Sequence, residues 1–205
     1  IMMVKVNEST LELVVGDITK QDTEAVVNAA NKRLAPGGGV AGAIHRAAGP
    51  ELWEECKKLG GCETGQAKLT RGYRLPASYV IHTVGPVYSG SPEDSKLLES
   101  CYRESLRSAE EHDIKSVSFP AISTGAFGYP VEEAAKIALK TVLDVLRKPS
   151  RIRLVRLVLR DSDTLRVHEM ALTSLVSCEL CLSDLGTSVI RSSNDYPSAP
   201  EFLDD

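Results

Sequence analysis

Ala25-Val26-Val27-Asn28-Ala29-Ala30-Asn31 leads into Pro36-Gly37-Gly38-Gly39-Val40-Ala41-Gly42, and Ala43-Ile44-His45-Arg46-Ala47-Ala48 follows at once. Ala25 to Asn28 is a short apolar run of strand type, and Val40 to Ala48 has helical spacing, with small residues at its start and Gly49-Pro50 as its stop. Between them lies a loop whose glycines carry no Cβ, so the backbone can approach an anion closely. The amide N–H groups of that loop and of the helix's first turn have no internal acceptor. The same arrangement recurs: Ser116 to Phe119 reads as a strand, Ile122-Ser123-Thr124-Gly125-Ala126-Phe127-Gly128-Tyr129 as a second glycine-rich loop, and Pro130-Val131-Glu132-Glu133 as a helix start with an acidic first turn. Two strand–loop–helix units of this kind can hold one diphosphate from opposite sides.

The rest of the chain continues the alternation. Leu11 to Val15, Gln66 to Thr70, Tyr79 to Val84 and Ile152 to Leu159 read as strands. Helices are expected from Pro50 toward Lys58, from Ser91-Pro92-Glu93-Asp94 to His112, from Pro130 to Arg147-Lys148, and from Asp163 to about Leu175. Strands that alternate with helices predict an α/β domain with a mixed, mostly parallel sheet covered on both faces, and ligands in such sheets sit at the C-terminal ends of the strands. The expected domain covers residues 1–175. Residues 176–205, rich in Ser, Asn, Pro and Gly between Gly186 and Pro200, read as an extension that packs loosely or is disordered.

Composition narrows the function class. The 205 residues carry 24 Lys and Arg against 28 Asp and Glu, a formal net charge of -4. That balance argues against an electrostatic nucleic-acid binder, so a phosphate ligand has to be held locally. No apolar run has the length of a membrane span, and no basic flank precedes an apolar stretch at the N-terminus. Five cysteines at irregular spacing do not make a disulfide framework. Reduced thiols and a cytoplasmic location are the expectation. Cys178 and Cys181 form a lone C-x-x-C without a second ligand pair, and no metal is called for. Ile1, standing before Met2-Met3, reads as foreign to the natural start.

Several ordered motifs together resemble a macrodomain of the MacroD-like kind over roughly residues 10 to 175. They are Gly16-Asp17-Ile18-Thr19, Val27-Asn28-Ala29-Ala30-Asn31, Gly37-Gly38-Gly39-Val40, Ala43-Ile44-His45-Arg46-Ala47-Ala48-Gly49, Ile81-His82-Thr83-Val84-Gly85-Pro86 and Phe119-Pro120-Ala121-Ile122-Ser123-Thr124-Gly125. The resemblance implies a three-layer α/β/α domain that binds ADP-ribose or ADP-ribosylated protein, with no cofactor and as a monomer. Many relatives hydrolyse the ester joining ADP-ribose to an acidic side chain, or deacetylate O-acetyl-ADP-ribose.

Carried over position by position, the resemblance implies a role for each site residue. Asp17 would accept from the exocyclic amine of adenine and Ile18 would offer a backbone N–H to the same base; capping of the following turn is the alternative for Asp17. Asn31 would hold the distal ribose, with Gly37, Gly38, Gly39 and Val40 close to that ribose and its phosphate. Asn31 and Gly38 are the positions expected around the reacting ester, and Asn28 is expected to brace the loop. Ser123, Thr124, Gly125, Ala126 and Phe127 would form the second wall of the diphosphate site, with Phe127 packing on the distal ribose. His45, inside a helix, reads as packed or exposed rather than catalytic, and His82, inside a strand, reads as structural. Arg151, Arg153 and Arg156 form a basic edge or simply solvated strand ends.

Two residues depart from the family pattern. Ala41 stands where many active relatives carry an acid after Gly-Gly-Gly-Val, so attack by water would rest on a phosphate oxygen of the bound nucleotide. Arg160 stands where relatives often stack an aromatic on adenine; its guanidinium can stack on a base or face solvent. The expected function is an ADP-ribosyl ester hydrolase, with a non-catalytic ADP-ribose reader as the alternative. A nicotinamide-dependent oxidoreductase also fits Gly37-Gly38-Gly39-Val40-Ala41-Gly42 formally, but the glycines do not follow the strand in a tight turn and no acid closes a second strand.

Overall fold

Ala25–Ala29 (β3) lies in the middle of the sheet, and its Ala25, Val26 and Val27 are all buried. An uninterrupted apolar run is what a parallel strand covered on both faces requires. Strand β3 pairs in parallel with Tyr79–Thr83 (β5) on one side and Ser116–Phe119 (β6) on the other. Leu154–Leu159 (β7) and Ser9–Val15 (β2) continue the parallel run. The edges are antiparallel: Ala67–Arg71 (β4) on β5, Met2–Val6 (β1) on β2, and Thr187–Arg191 (β8) on β1. The spatial order is β4-β5-β3-β6-β7-β2-β1-β8. These relations come from a computed structural model that describes residues 2–180 and 187–191.

Helices cover both faces. On one side lie Gly39–Ala48 (α1) and Pro50–Cys56 (α2), which enclose a core with Val26, Leu34, Ile44, Leu52 and Val80. On the other lie Pro92–Glu111 (α3), Val131–Arg147 (α4) and Ser162–Leu180 (α5), around Leu11, Leu13, Val27, Tyr102, Phe119, Leu139 and Leu172. Each helix starts as its sequence indicates. Ser91 Oγ accepts from the Glu93 amide at 3.2 Å with Pro92 at the first position of α3, and Asp161 Oδ1 accepts from the Thr164 amide at 2.8 Å at the head of α5. Gly49, at φ +88, ends α1 and lets Pro50 open α2 immediately.

Three features differ from the sequence expectation. Met2–Val6 was not expected as a strand, yet Met2, Val4 and Val6 alternate inward and a turn at Asn7 (φ +53) returns the chain into β2. Helix α5 runs to Leu180, past Leu175, and β8 adds an edge strand from within the segment expected as an extension. Residues 181–186 and 192–205 lie outside the described residues, and with them Cys181 of the C-x-x-C pair. The three arginines near β7 are each paired: Arg156 with Glu12 and Asp22, both at 2.7 Å, Arg151 with Glu110 and Asp113, and Arg153 with Glu8. Among the described residues no helix is long and apolar enough to cross a membrane.

Candidate active site

Strands β2, β7, β6, β3 and β5 run in one direction, so their C-terminal ends open on the same edge of the sheet. The segments that leave β3, β6, β7 and β2 are those containing Asn31, Ser123 to Phe127, Arg160 and Asp17. They stand on four consecutive strands in that order. Three inter-strand spacings span roughly 14 Å.

The loop after β3 is held by its own side chains. Asn31 Oδ1 accepts from the Ala35 amide at 3.0 Å, and Asn31 Nδ2 donates to the Ala35 carbonyl at 2.9 Å. Leu34, fully buried at φ +57, donates its amide to the Asn31 carbonyl at 2.9 Å. Beyond Pro36 the Gly37 carbonyl rests against α1 at Gly42, where any Cβ would run into that oxygen. Gly38 caps α1 without a side chain, and Gly42 N–H donates to the Gly38 carbonyl at 3.1 Å. The amides of Gly39, Val40 and Ala41 are therefore first-turn donors with no intrahelical acceptor.

The loop after β6 closes on itself. Tyr129 N–H donates to Ser123 O at 2.9 Å and Gly128 N–H to Gly125 O at 3.0 Å, with Ser123 at φ +66. Among the described residues the amides of Ser123, Gly125, Ala126 and Phe127 find no protein acceptor. The segment after β5 braces this loop from behind: Tyr88 N–H donates to Phe127 O at 2.9 Å, and the Tyr88 and Tyr129 rings lie 5.0 Å apart. Gly85 makes room there for this loop, because a Cβ would force the buried side chains of Ser123 and Ile122 to shift. Gly125 and Ala126 are exposed, and Thr124 and Phe127 are half-buried.

Beneath the loops lies a polar layer drawn from four elements, β3, α1, β4 and β5. Asn28 Nδ2 donates to His82 Nδ1 at 3.1 Å, which leaves His82 Nε2–H to donate to Thr70 Oγ1 at 2.8 Å, a tautomer assigned from the network. His45 is buried with neither ring nitrogen partnered among the described residues, and its ring centre is 6.5 Å from that of His82. Its neighbour one turn earlier, Ala41, offers a methyl group. Burial, and next the proximity of His45, push the His82 pKa from 6.5 down to about 3. The unfolded chain therefore binds a proton on this group well before the folded one does. The stability His82 contributes is complete above pH 6.5 and is lost as pH falls toward 3. Between about pH 7 and about pH 5 this amounts to ~2 kcal/mol. Denaturant titrations at the two pH values should show that loss in the wild type and a smaller one in His82→Gln; equal pH slopes would contradict the assignment.

A family-wide sequence profile for the Macro domain matches residues 27–138. A macro domain-containing protein of Methanosarcina mazei is 50% identical over 173 residues, covering 84% of this chain and 92% of that protein. The chain is a macrodomain. The ADP-ribose glycohydrolase MACROD2 of Xenopus laevis is 58% identical over 135 residues, which are 65% of this chain and 32% of that protein. A mutant of the Oceanobacillus iheyensis macrodomain with ADPR superposes at a TM-score of 0.83 and 42% identity, covering 86% of this chain and 100% of that one. The three-layer architecture expected from the sequence is that of this neighbour.

In this macrodomain Asp17 is an exposed cap. Its Oδ1 accepts from the Thr19 amide at 2.9 Å and from the Thr19 hydroxyl at 2.7 Å, and those two bonds, the hydroxyl's first, hold its pKa below the usual carboxylate range. Both bonds fall on one oxygen, so the carboxylate stays ionised with the other oxygen still able to accept. Ile18 beside it is buried. Arg160 is exposed, with Nε 3.4 Å from Asp161 Oδ2. Asn28, expected to brace the loop, bonds His82 in β5 instead, and of the two readings of His45, packed or exposed, the structure shows the packed one; what the sequence did not indicate is that its ring nitrogens lack a partner among the described residues.

Proposed function

We propose that this macrodomain binds ADP-ribose and hydrolyses ADP-ribosyl esters, either on Glu or Asp side chains or in O-acetyl-ADP-ribose. The order of Asn31, the Ser123 to Phe127 loop, Arg160 and Asp17 along one sheet edge carries the reading, because it repeats the order of parts in the ligand. Adenine lies at Asp17 and Ile18, where a carboxylate oxygen accepts from the exocyclic amine, and the Arg160 guanidinium lies beside the base. The diphosphate lies between the amides of Gly39 to Ala41 and those of Ser123, Gly125, Ala126 and Phe127, two groups of donors with no protein acceptor among the described residues. The distal ribose lies at Asn31 and Gly37 to Val40, with Phe127 on its face.

Asn31 spends one amide hydrogen and one carbonyl lone pair on Ala35, which fixes the amide plane. Its second N–H and second lone pair remain for ribose hydroxyls, at any pH in which the fold persists. Water splits the ester into ADP-ribose and a free carboxylate. With Ala41 in place of an acid, a phosphate oxygen of the bound nucleotide orients that water, and Gly38 leaves room for it. The same alanine favours a second reading, a reader that holds ADP-ribose without turnover. We place the protein's work in the cytoplasm, as a monomer.

Asp17→Ala tests the nucleotide end. Losing a hydrogen bond to a charged acceptor should weaken ADP-ribose binding by about tenfold or more. Calorimetry reads this directly; an unchanged affinity would remove Asp17 from the adenine site.

A further inference from the structure

A cavity of about 300 Å³ opens behind the first glycine loop, between that loop, α1 and α2, with Pro36, Gly37, His45, Arg46 and Trp53 in its walls. It shares the Gly37 wall with the proposed ribose site: a Cβ at Gly37 would lie 3.5 Å from Asn31 Nδ2. Most of the lining is apolar. The exception at its mouth is Arg46, exposed and without a carboxylate partner among the described residues, whose guanidinium lies across Gly42. An unpaired cation over an apolar wall suits an acidic side chain with its aliphatic stem, and the volume suits one or two residues of an extended peptide.

We propose that this cavity is the acceptor-side subsite, seating the acidic polypeptide segment that carries the ADP-ribosyl ester. A carboxylate of that segment lies on Arg46 and its apolar stem against Trp53. The inference rests on the ester-hydrolase reading for its setting: the modified residue leaves the distal ribose at Asn31, one residue's width from the Gly37 wall. It also gives that reading a substrate class, since a protein-borne ester would engage the cavity and O-acetyl-ADP-ribose would not.

Trp53 is the single tryptophan of the chain, so intrinsic fluorescence reports on this cavity. The test is to titrate an unmodified glutamate-rich peptide into the protein saturated with ADP-ribose, for the wild type and for Arg46→Glu, with calorimetry of ADP-ribose on both. A saturable change in the wild type, weakened about fivefold or more in Arg46→Glu, upholds the proposal whether or not the protein turns over. No saturable change, or the same curve in both proteins, overturns it. The calorimetry reads the nucleotide site separately, so loss of ADP-ribose binding would fault the functional reading and not this one. If turnover is present, Arg46→Glu should raise KM for a modified acidic protein and leave kcat unchanged; an equal rise for O-acetyl-ADP-ribose would also overturn the proposal.

Discussion

Ala41→Asp should accelerate ester hydrolysis by about 10²-fold, with little change in ADP-ribose affinity. A positioned general base contributes roughly 10²–10⁴-fold, and the lower end applies because the carboxylate would enter a buried position. Ala41 lies in the first turn of α1, close to the site proposed for the reacting ester, and is 5% exposed. Desolvation alone would make an acid costly there. His45, one turn on, offsets that cost, because its ring nitrogens have no partner among the described residues and burial now depresses its pKa. Contact between the introduced carboxylate and the His45 ring would reverse the depression. Single-turnover kinetics reads the rate and the His45 ring signals in NMR read the pairing. A flat rate would show that water is not placed from this position.

Gly42→Val should lower ADP-ribose affinity by about 10²-fold while the protein still folds. The new Cβ meets the Gly37 carbonyl, which is backbone and cannot rotate away, so the whole glycine loop must shift. A displacement near 1 Å in positioning groups is enough for an effect of roughly that size. Gly38→Ala is the contrast for stability: nothing lies within 4 Å of its Cβ position, and the melting temperature should stay near that of the wild type. Calorimetry with thermal melts on both variants checks the pair; a Gly42→Val protein that binds normally would mean the loop is not held by this contact.

Much of the architecture was legible in the sequence because its signals are local. Strand β3, the glycine loop and α1 each carry their own composition, and Ser91-Pro92-Glu93-Asp94 announces α3 by cap, proline and acids together. Two of the glycines were legible for a stricter reason: at Gly42, beside the first glycine loop, and at Gly85, behind the second, backbone or side chain of another segment fills the space a Cβ would need. Strand β1 also had a local signal, the inward alternation of Met2, Val4 and Val6, but it is short and becomes a strand by pairing with β2. The Ser-rich run around β8 gave no such sign, since an edge strand is defined by its neighbour. The layer of Asn28, His45, Thr70 and His82 joins four elements far apart in sequence, and nothing in any one of them indicates that His82 is fully buried or that His45 lacks a partner. The cavity at Arg46 and Trp53 was hidden likewise, because it exists only where α1 and α2 fold back across Gly49.

The most direct test of the central claim is a time course of ADP-ribose release from a glutamate-linked mono-ADP-ribosylated protein, with the released nucleotide quantified against a no-enzyme control. Release above that control, at a rate that scales with enzyme concentration and falls in Asn31→Ala, is the predicted result. Absence of release from a preparation that binds ADP-ribose in calorimetry would contradict hydrolysis and leave a reader of ADP-ribose in its place.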